Sequence, residues 1–118
     1  MNNTIPFDTI KQNPNDIHAI KAILASQQIY WNNGDIEGFM QGYWKSEELI
    51  FTSHIHKPVY GWKNTLESYK NSYPTKSSMG ELNFEILYLK LVSETTAILK
   101  GRWELIRKED NPTGLFWL

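Results

Sequence analysis

Two strand-length segments near the C-terminus constrain the fold of this chain more than any other feature. Residues 81–92 and 95–108 are rich in apolar residues, and only Ser93 and Glu94 separate them. Two residues is the length of a tight β-hairpin connection, although Ser-Glu is not a favoured pair for it. Residues 114–118 form a further apolar segment after the turn-rich residues 109–113. The sequence therefore predicts a long antiparallel hairpin extended by another strand.

Three segments before Pro74 follow the period of an α-helix instead. The first begins at Asn13-Pro14, a capping residue followed by a proline, and ends at Asn32-Asn33-Gly34. Asp35 caps a second, shorter helix, and a third runs from Gly61 to Tyr73. Residues 49–53 and 59–60 form a small hairpin, and residues 74–80 form a loop. The first two helices carry these apolar-face residues: Ile17, Ile20, Ile23, Leu24, Gln28, Tyr30, Trp31, Ile36, Phe39, Met40, Tyr43 and Trp44.

Alternation along the long strands predicts which side chains face the helices. In the second long strand, one face carries Ala97, Leu99, Gly101, Trp103 and Leu105, and the other carries Ile98, Lys100, Arg102, Glu104 and Ile106. The first long strand is apolar on both faces, with Phe84, Ile86 and Tyr88 on one and Leu87, Leu89 and Leu91 on the other. Short helices cover only one face of such a sheet. We therefore expect a homodimer through the outer sheet face.

Composition excludes several classes of function. A formal net charge of -1 without a basic stripe speaks against a nucleic-acid-binding surface. No apolar stretch approaches the ~20 residues that a membrane helix needs, so we expect a soluble protein with no membrane partner. The absence of cysteine excludes disulfides and thiolate ligands. The N-terminus lacks a signal pattern, which favours the cytoplasm and leaves a trimmed secreted form open. We expect no cofactor.

The order of these elements resembles the nuclear transport factor 2-like cone fold, the superfamily of ketosteroid isomerase and SnoaL-type cyclases. The segment Trp31-Asn32-Asn33-Gly34-Asp35-Ile36-Glu37-Gly38-Phe39 is similar to a corner motif of SnoaL-like proteins. Gly61-Trp62 with Tyr69 and Tyr73-Pro74 resembles their third helix. AILKGRWEL (97–105) and residues 114–118 resemble the branch called domain of unknown function 4440. The resemblance implies an α+β cone with helices on a curved antiparallel sheet, in which residues 1–14 are a loose arm and 15–118 one domain, lacking the final strand that relatives carry.

The resemblance also implies a pocket between the helices and the concave sheet. The chain is 14% aromatic, with five tryptophans, and such rings suit a flat or polycyclic ligand, with hydroxyl and indole N–H groups to orient it. The same rings are equally well explained as core packing. The candidate pocket residues are Trp31, Tyr43, Phe51, Trp62, Tyr69, Tyr73 and Trp103.

Candidate catalytic groups are few. His54 is the candidate general base at the pocket edge, and Tyr69 is a candidate for polarising a carbonyl, as are Tyr30 and Ser53. His54 and His56 form a His-x-His pair, but without a third ligand nearby we predict no metal site. His18 is expected to be solvated.

The acidic residues offer no carboxylate inside the cone. Asp35 acts as a helix cap, and Glu85 and Glu104 lie on the outer face. Arg102 is expected to form cross-strand ion pairs there, with binding of an anionic substrate as the alternative.

The sequence supports two functions. One is a homodimeric binder of a small apolar or aromatic ligand, with isomerase, cyclase or dehydratase chemistry left open. The other is an interaction or assembly domain that does not catalyse a reaction and fills its core with its own rings. Whether the chain is an enzyme, what it binds and whether it is cut short after Leu118 are not decided by the sequence.

Overall fold

The computed structural model describes residues 11–52 and 57–118. Most of the expected N-terminal arm, together with Ser53, His54 and His56, lies outside these residues. The described residues form four helices and five strands: α1 (Pro14–Asn32), α2 (Ile36–Met40), β1 (Ile50–Phe51), β2 (Val59–Tyr60), α3 (Trp62–Ser72), α4 (Lys76–Met79), β3 (Glu81–Leu91), β4 (Ala97–Ile106) and β5 (Thr113–Trp117). The predicted α+β class is confirmed.

The helix ends follow the local signals in the sequence. The Asn13 side chain accepts a hydrogen bond from the Asn15 backbone N–H, which caps α1 as predicted. After α1 the chain turns at Gly34, whose φ of +78° is readily adopted only by glycine. Asp35 caps α2 through the Gly38 N–H at 2.8 Å. None of the helices in the described ranges is long and apolar enough to cross a bilayer.

Three local expectations were wrong. Helix α2 ends at Met40, so Tyr43 and Trp44 lie in the following turns. The predicted loop 74–80 contains α4, because the Thr75 and Ser78 side chains form a reciprocal capping box. The β3–β4 connection spans residues 92–96 rather than two residues, since the Val92 and Ser93 N–H groups both donate to the Thr96 carbonyl.

The three long strands form one antiparallel sheet in the order β3-β4-β5. A β-bulge between Ile86 and Tyr88 shifts the β3 register by one residue. Before the bulge, Phe84 is opposite Trp103, and after it Leu89 is opposite Leu99. The predicted split of β3 was therefore wrong. Leu89 and Leu91 share the helix-covered face with Phe84 and Ile86, and Tyr88 lies on the outer face, where it is exposed.

The helices pack on the face that carries Leu82, Phe84, Trp103 and Leu105, and we call it the inner face. The inward stripe of α1 is narrower than predicted, because Ile23 and Tyr30 are exposed whereas Leu24, Gln27 and Trp31 are buried. The buried core between helices and sheet consists of Trp31, Ile36, Phe39, Met40, Leu66, Met79, Leu82 and Leu105.

Amide side chains on or just before α1 satisfy the free backbone edge of β3. Asn32 accepts a hydrogen bond from the Leu82 N–H at 2.6 Å and donates to the Leu82 carbonyl at 3.2 Å. Gln12 makes the same two-way contact with Leu91, at 2.9 and 3.0 Å. Gln28 accepts from the Phe84 N–H. These side chains replace a neighbouring strand, which protects an edge that would otherwise attract another chain.

We predict that Asn32→Ala lowers the free energy of unfolding by about 1–3 kcal/mol, because it leaves two part-buried backbone groups of Leu82 unpaired. Urea denaturation followed by circular dichroism measures the change. Asn33→Ala is the matched control, since Asn33 is the exposed next residue. Equal losses in the two variants would contradict the role given to Asn32.

Candidate functional site

Six rings from the helical side of the fold form one connected group, which we call the aromatic cluster. Trp31 contacts Phe39 and Tyr73 with ring centroids 5.0 and 5.1 Å apart, and Tyr69 at 5.9 Å. Most of these pairs meet edge to face, the arrangement that aromatic quadrupoles favour. The members of the cluster are Trp31, Phe39, Tyr43, Phe51, Tyr69 and Tyr73.

The cluster brings together five of the seven predicted pocket residues and adds Phe39, which the sequence analysis placed only in the core stripe of α2. Phe39 lies between Trp31, Tyr43 and Tyr69. The sequence signal that could have identified Phe39 is its position eight residues after Trp31, on the other side of the turn at Gly34. Tyr69 and Tyr73 meet the cluster together because they are four residues apart at the C-terminal end of α3.

The two remaining predicted residues approach the core from other directions. Trp62, the first residue of α3, is half-buried and packs against the core. Trp103 projects from the inner face of β4, and its indole lies so close to Gly114 that an added Cβ there would sit 2.6 Å from the ring nitrogen. Phe84 and Phe116 lie on the same face, with centroids 5.5 Å apart.

Two indole N–H groups that were expected to orient a ligand instead form hydrogen bonds within the protein. The Trp31 Nε1–H donates to the Met79 carbonyl at 3.0 Å, and the Trp62 Nε1–H donates to the Met40 carbonyl at 2.8 Å. Trp31 is also only 2% exposed. The expectation was wrong for these two residues, because buried indole donors find backbone acceptors within their own chain.

The tyrosine hydroxyls remain as the polar groups of the cluster. Burial raises the pKa of both Tyr43 and Tyr69, and most strongly that of Tyr69. The interaction between the two phenol groups acts in opposite directions on them: it lowers the pKa of Tyr43 and raises that of Tyr69.

The charged residues lie where the sequence analysis placed them, with one correction. Every described Asp and Glu is exposed except Glu104, which is half-buried on the outer face. His18 is exposed as expected. Arg102 pairs with Glu104 along its own strand, at 4.0 Å, rather than across strands. Within residues 11–52 and 57–118, His, Asp and Glu side chains form no group of three that could hold a metal ion.

Two surface grooves lie outside the predicted pocket. One, of about 490 Å³, runs between α2, the end of α3 and α4, and shares Tyr73 with the aromatic cluster. Its charged residues are Asp35, Glu37, Lys70 and Lys76, and Lys70 is paired with Glu37. The other, of about 240 Å³, lies between α1 and the turns after α2, beside Ile23 and Tyr30.

Known structures share this architecture. An NTF-2-like protein of unknown function from Shewanella oneidensis MR-1 is 44% identical, with a TM-score of 0.83 over 87% of this chain and 84% of that one. The chain belongs to the NTF-2-like family.

Two more distant solved structures share the fold of this chain. One is a domain of unknown function with a cystatin-like fold from Nostoc punctiforme, at 20% identity and a TM-score of 0.70 over 90% of this chain and 68% of that one. Another is a ketosteroid isomerase-like protein from Erwinia carotovora, at 15% identity and a TM-score of 0.63 over 89% and 79%. No family model and no curated protein matches the chain, so the narrower branch, domain of unknown function 4440, is not confirmed.

We predict that the buried tyrosine pair makes stability fall at alkaline pH. Tyrosines of the unfolded chain ionise near their ordinary pKa of 10.0, whereas Tyr43 and Tyr69 keep their protons in the folded protein. Above that pH the unfolded state binds fewer protons than the native state, so the free energy of unfolding decreases as the pH rises. The contribution is present in full below pH 10 and is lost as the pH rises through the folded pKa values.

Urea denaturation at a series of pH values from 8 to 11 tests this. The double variant Tyr43→Phe/Tyr69→Phe should lose stability less steeply above pH 10 than the wild type. Tyr60→Phe, at an exposed ring of β2, is the control and should keep the wild-type slope. A double variant with an unchanged slope would show that the pair does not ionise on unfolding as described.

Proposed function

We propose that this NTF-2-like protein is a homodimeric binder of a small apolar or aromatic ligand, held by the predicted residues between the helices and the inner sheet face. One observation carries the proposal: Tyr43 and Tyr69 bring two phenol groups into one cluster of aromatic rings, and burial raises the pKa of both, so that each hydroxyl keeps its proton at neutral pH. An apolar wall with a few convergent polar groups is typical of small-molecule sites.

Burial differs among the pocket residues in a way that supports this arrangement. Trp31 is almost fully buried and would form the floor. Tyr43, Phe51, Trp62, Tyr69, Tyr73 and Trp103 are only partly buried, so these residues keep some surface that a flat ligand could cover. Covering apolar surface contributes roughly 25 cal/mol per Å² removed from water, and the tyrosine hydroxyl would set the orientation.

The chemistry that fits such a site is polarisation of a carbonyl oxygen by the hydroxyl of Tyr69 or of Tyr43. Hydrogen bonds to an oxygen on which negative charge develops are a common source of rate acceleration. This is compatible with isomerase, cyclase or dehydratase reactions, and the ketosteroid isomerase-like neighbour supports that class by its fold alone. The candidate base, His54, lies outside the described residues, and the described carboxylates are not inside the cone.

A ligand that binds only the folded protein raises its melting temperature by mass action, by an amount equivalent to about 2.7 kcal/mol at a hundredfold excess over Kd. We predict that a flat probe such as 2-naphthol or a hydroxysteroid produces such a shift. Tyr43→Phe should reduce the shift for oxygen-bearing probes while preserving ring packing, and Trp103→Leu should reduce it for all probes.

Trp44→Leu is the matched control, because Trp44 is 62% exposed and lies outside the predicted pocket. The probe shift should be the same in this variant as in the wild type. Shifts that persist unchanged in Tyr43→Phe and Trp103→Leu would place the ligand elsewhere, for instance in the groove beside Tyr73.

The second candidate, an assembly domain with a self-filled core, is supported by the ring contacts themselves. Phe39 and Tyr69 meet at 5.3 Å, and Phe51 and Tyr69 at 5.5 Å. Of the rings in the aromatic cluster, Tyr73 alone lines the larger groove described above, and none lines the smaller one. Failure of every probe to change the melting temperature would favour this candidate over the first.

The outer sheet face supports the homodimer. Leu115 and Trp117 project from β5 next to each other and are each 62% exposed, and Tyr88 is exposed in the same row as Trp117. Exposed aromatic and aliphatic side chains that form a contiguous patch typically mark an interaction surface. The bulge in β3 removes Leu89 from this face, so the exposed patch consists of Tyr88, Leu115 and Trp117.

We predict that the protein sediments as a dimer at micromolar concentration and that Trp117→Glu weakens the dimer by about tenfold or more, as truncation of a central aromatic residue typically does. Analytical ultracentrifugation measures the change. Trp44→Glu is the matched control, because Trp44 has the same exposed fraction and lies outside the sheet. Equal effects of the two substitutions would contradict this use of the sheet.

A further inference from the structure

The outer sheet face is charge-polarised along its strands. The strand registers divide it into five rows across the sheet. The first two rows contain Glu81 with Ile106, and Asn83 with Glu104 and Thr113. The middle row contains Glu85, Arg102 and Leu115. The last two rows contain Tyr88, Lys100 and Trp117, and then Lys90 with Ile98.

The charged strand residues are acidic at one end of this face and basic at the other. Glu81 and Glu104 lie at one end, where they pair with Lys76 at 3.8 Å and with Arg102 at 4.0 Å. Lys100 and Lys90 lie at the other end, and the middle row contains Glu85 and Arg102. The Lys100 ammonium lies 5.4 Å from the centroid of the exposed Trp117 ring. If a partner covered Trp117, Lys100 would lose much of its water, and an interfacial cation of this kind is stabilised by a carboxylate from the other side.

A two-fold axis between two copies of such a face can lie in the interface in two simple ways. With the axis parallel to the strands and over β4, each β4 residue meets itself, so that Lys100 faces the partner's Lys100 and Glu104 faces the partner's Glu104. With the axis across the strands at the middle row, the order of the rows reverses. Lys100 then faces the partner's Glu104, and Lys90 faces the partner's Glu81.

We propose that the homodimer proposed above packs the outer sheet faces with the two-fold axis across the strands, so that the strands of the two copies run antiparallel across the interface. This inference rests on that homodimer. The arrangement places opposite charges opposite each other at four points related by the axis, whereas Glu85 and Arg102 in the middle row each lie against their own copy. The axis parallel to the strands sets Lys100, Arg102 and Glu104 each against its own copy and forms no pair of opposite charge, so the axis across the strands gives the better charge balance. It also places Ile98 over the partner's Ile106 and Leu115 against its own copy, as expected for an isologous interface. Stacked sheets cross at about 30°. The rows near the middle of the sheet therefore stay closest to this register, and the rows at its ends are displaced most.

Charge reversal separates the two orientations. Lys100→Glu and Glu104→Lys should each raise the dimer Kd by about tenfold or more, because each creates two like-charge contacts. The double variant K100E/E104K should restore a Kd close to that of the wild type. Lys63→Glu on α3 is the control and should leave the Kd unchanged, since this exposed residue is not on the sheet.

The absence of native cysteine allows a second test. A short bis-maleimide linker suits it, because stacked sheets lie about 10 Å apart and a direct disulfide needs Cα atoms within about 7 Å. A mixture of Lys100→Cys and Glu104→Cys chains should give a crosslinked heterodimer, while neither variant should crosslink with itself. The second Lys100–Glu104 contact stays intact in that mixture, so the dimer is retained.

Two results would overturn the inference in distinguishable ways. A wild-type protein that sediments as a monomer at micromolar concentration overturns the homodimer and the orientation with it. A wild-type dimer in which each cysteine variant crosslinks with itself, or in which K100E/E104K is no tighter than the single reversals, leaves the homodimer standing and overturns only the orientation.

Discussion

The indole of Trp31 holds the helical layer of this protein together. Its ring meets Phe39 from α2, Tyr69 from α3 and Tyr73 directly after α3, and its N–H donates to the Met79 carbonyl at the end of α4. One side chain near the end of α1 therefore fixes the positions of the other three helices. Because its only polar atom has a partner, Trp31 can be buried without the cost of an unpaired donor.

The sheet depends on a different device. Amide side chains of Gln12, Gln28 and Asn32 pair with the free edge of β3, so α1 is held to the sheet by hydrogen bonds as well as by apolar contact. The bulge between Ile86 and Tyr88 turns Leu89 and Leu91 toward the helices. Together, these two features place one face of the sheet in the core. The other face carries charges and exposed rings, and we propose that a second copy of the chain covers it.

Local signals in the sequence predicted most of the fold. Asn13, Gly34 and Asp35 marked helix ends because caps act within a few residues of themselves. The bulge was missed because alternation assumes an unbroken ladder, and nothing in Phe84–Leu91 marks the extra residue. The pocket residues were only partly predictable: helical spacing placed Trp31 and Tyr69 inward, whereas the acceptors of the Trp31 and Trp62 indoles come from distant segments that periodicity does not report.

In the proposed ligand site the aromatic rings divide into two groups: Trp31 and Phe39 form a buried base, and the partly buried rings would form the wall. The five indole N–H groups of the chain test this most directly. In a two-dimensional NMR titration with 2-naphthol, the account predicts that the Trp62 and Trp103 signals shift, with Trp44 and Trp117 unchanged. If only the Trp44 or Trp117 signal moves, or none does, the ligand-binding account is contradicted.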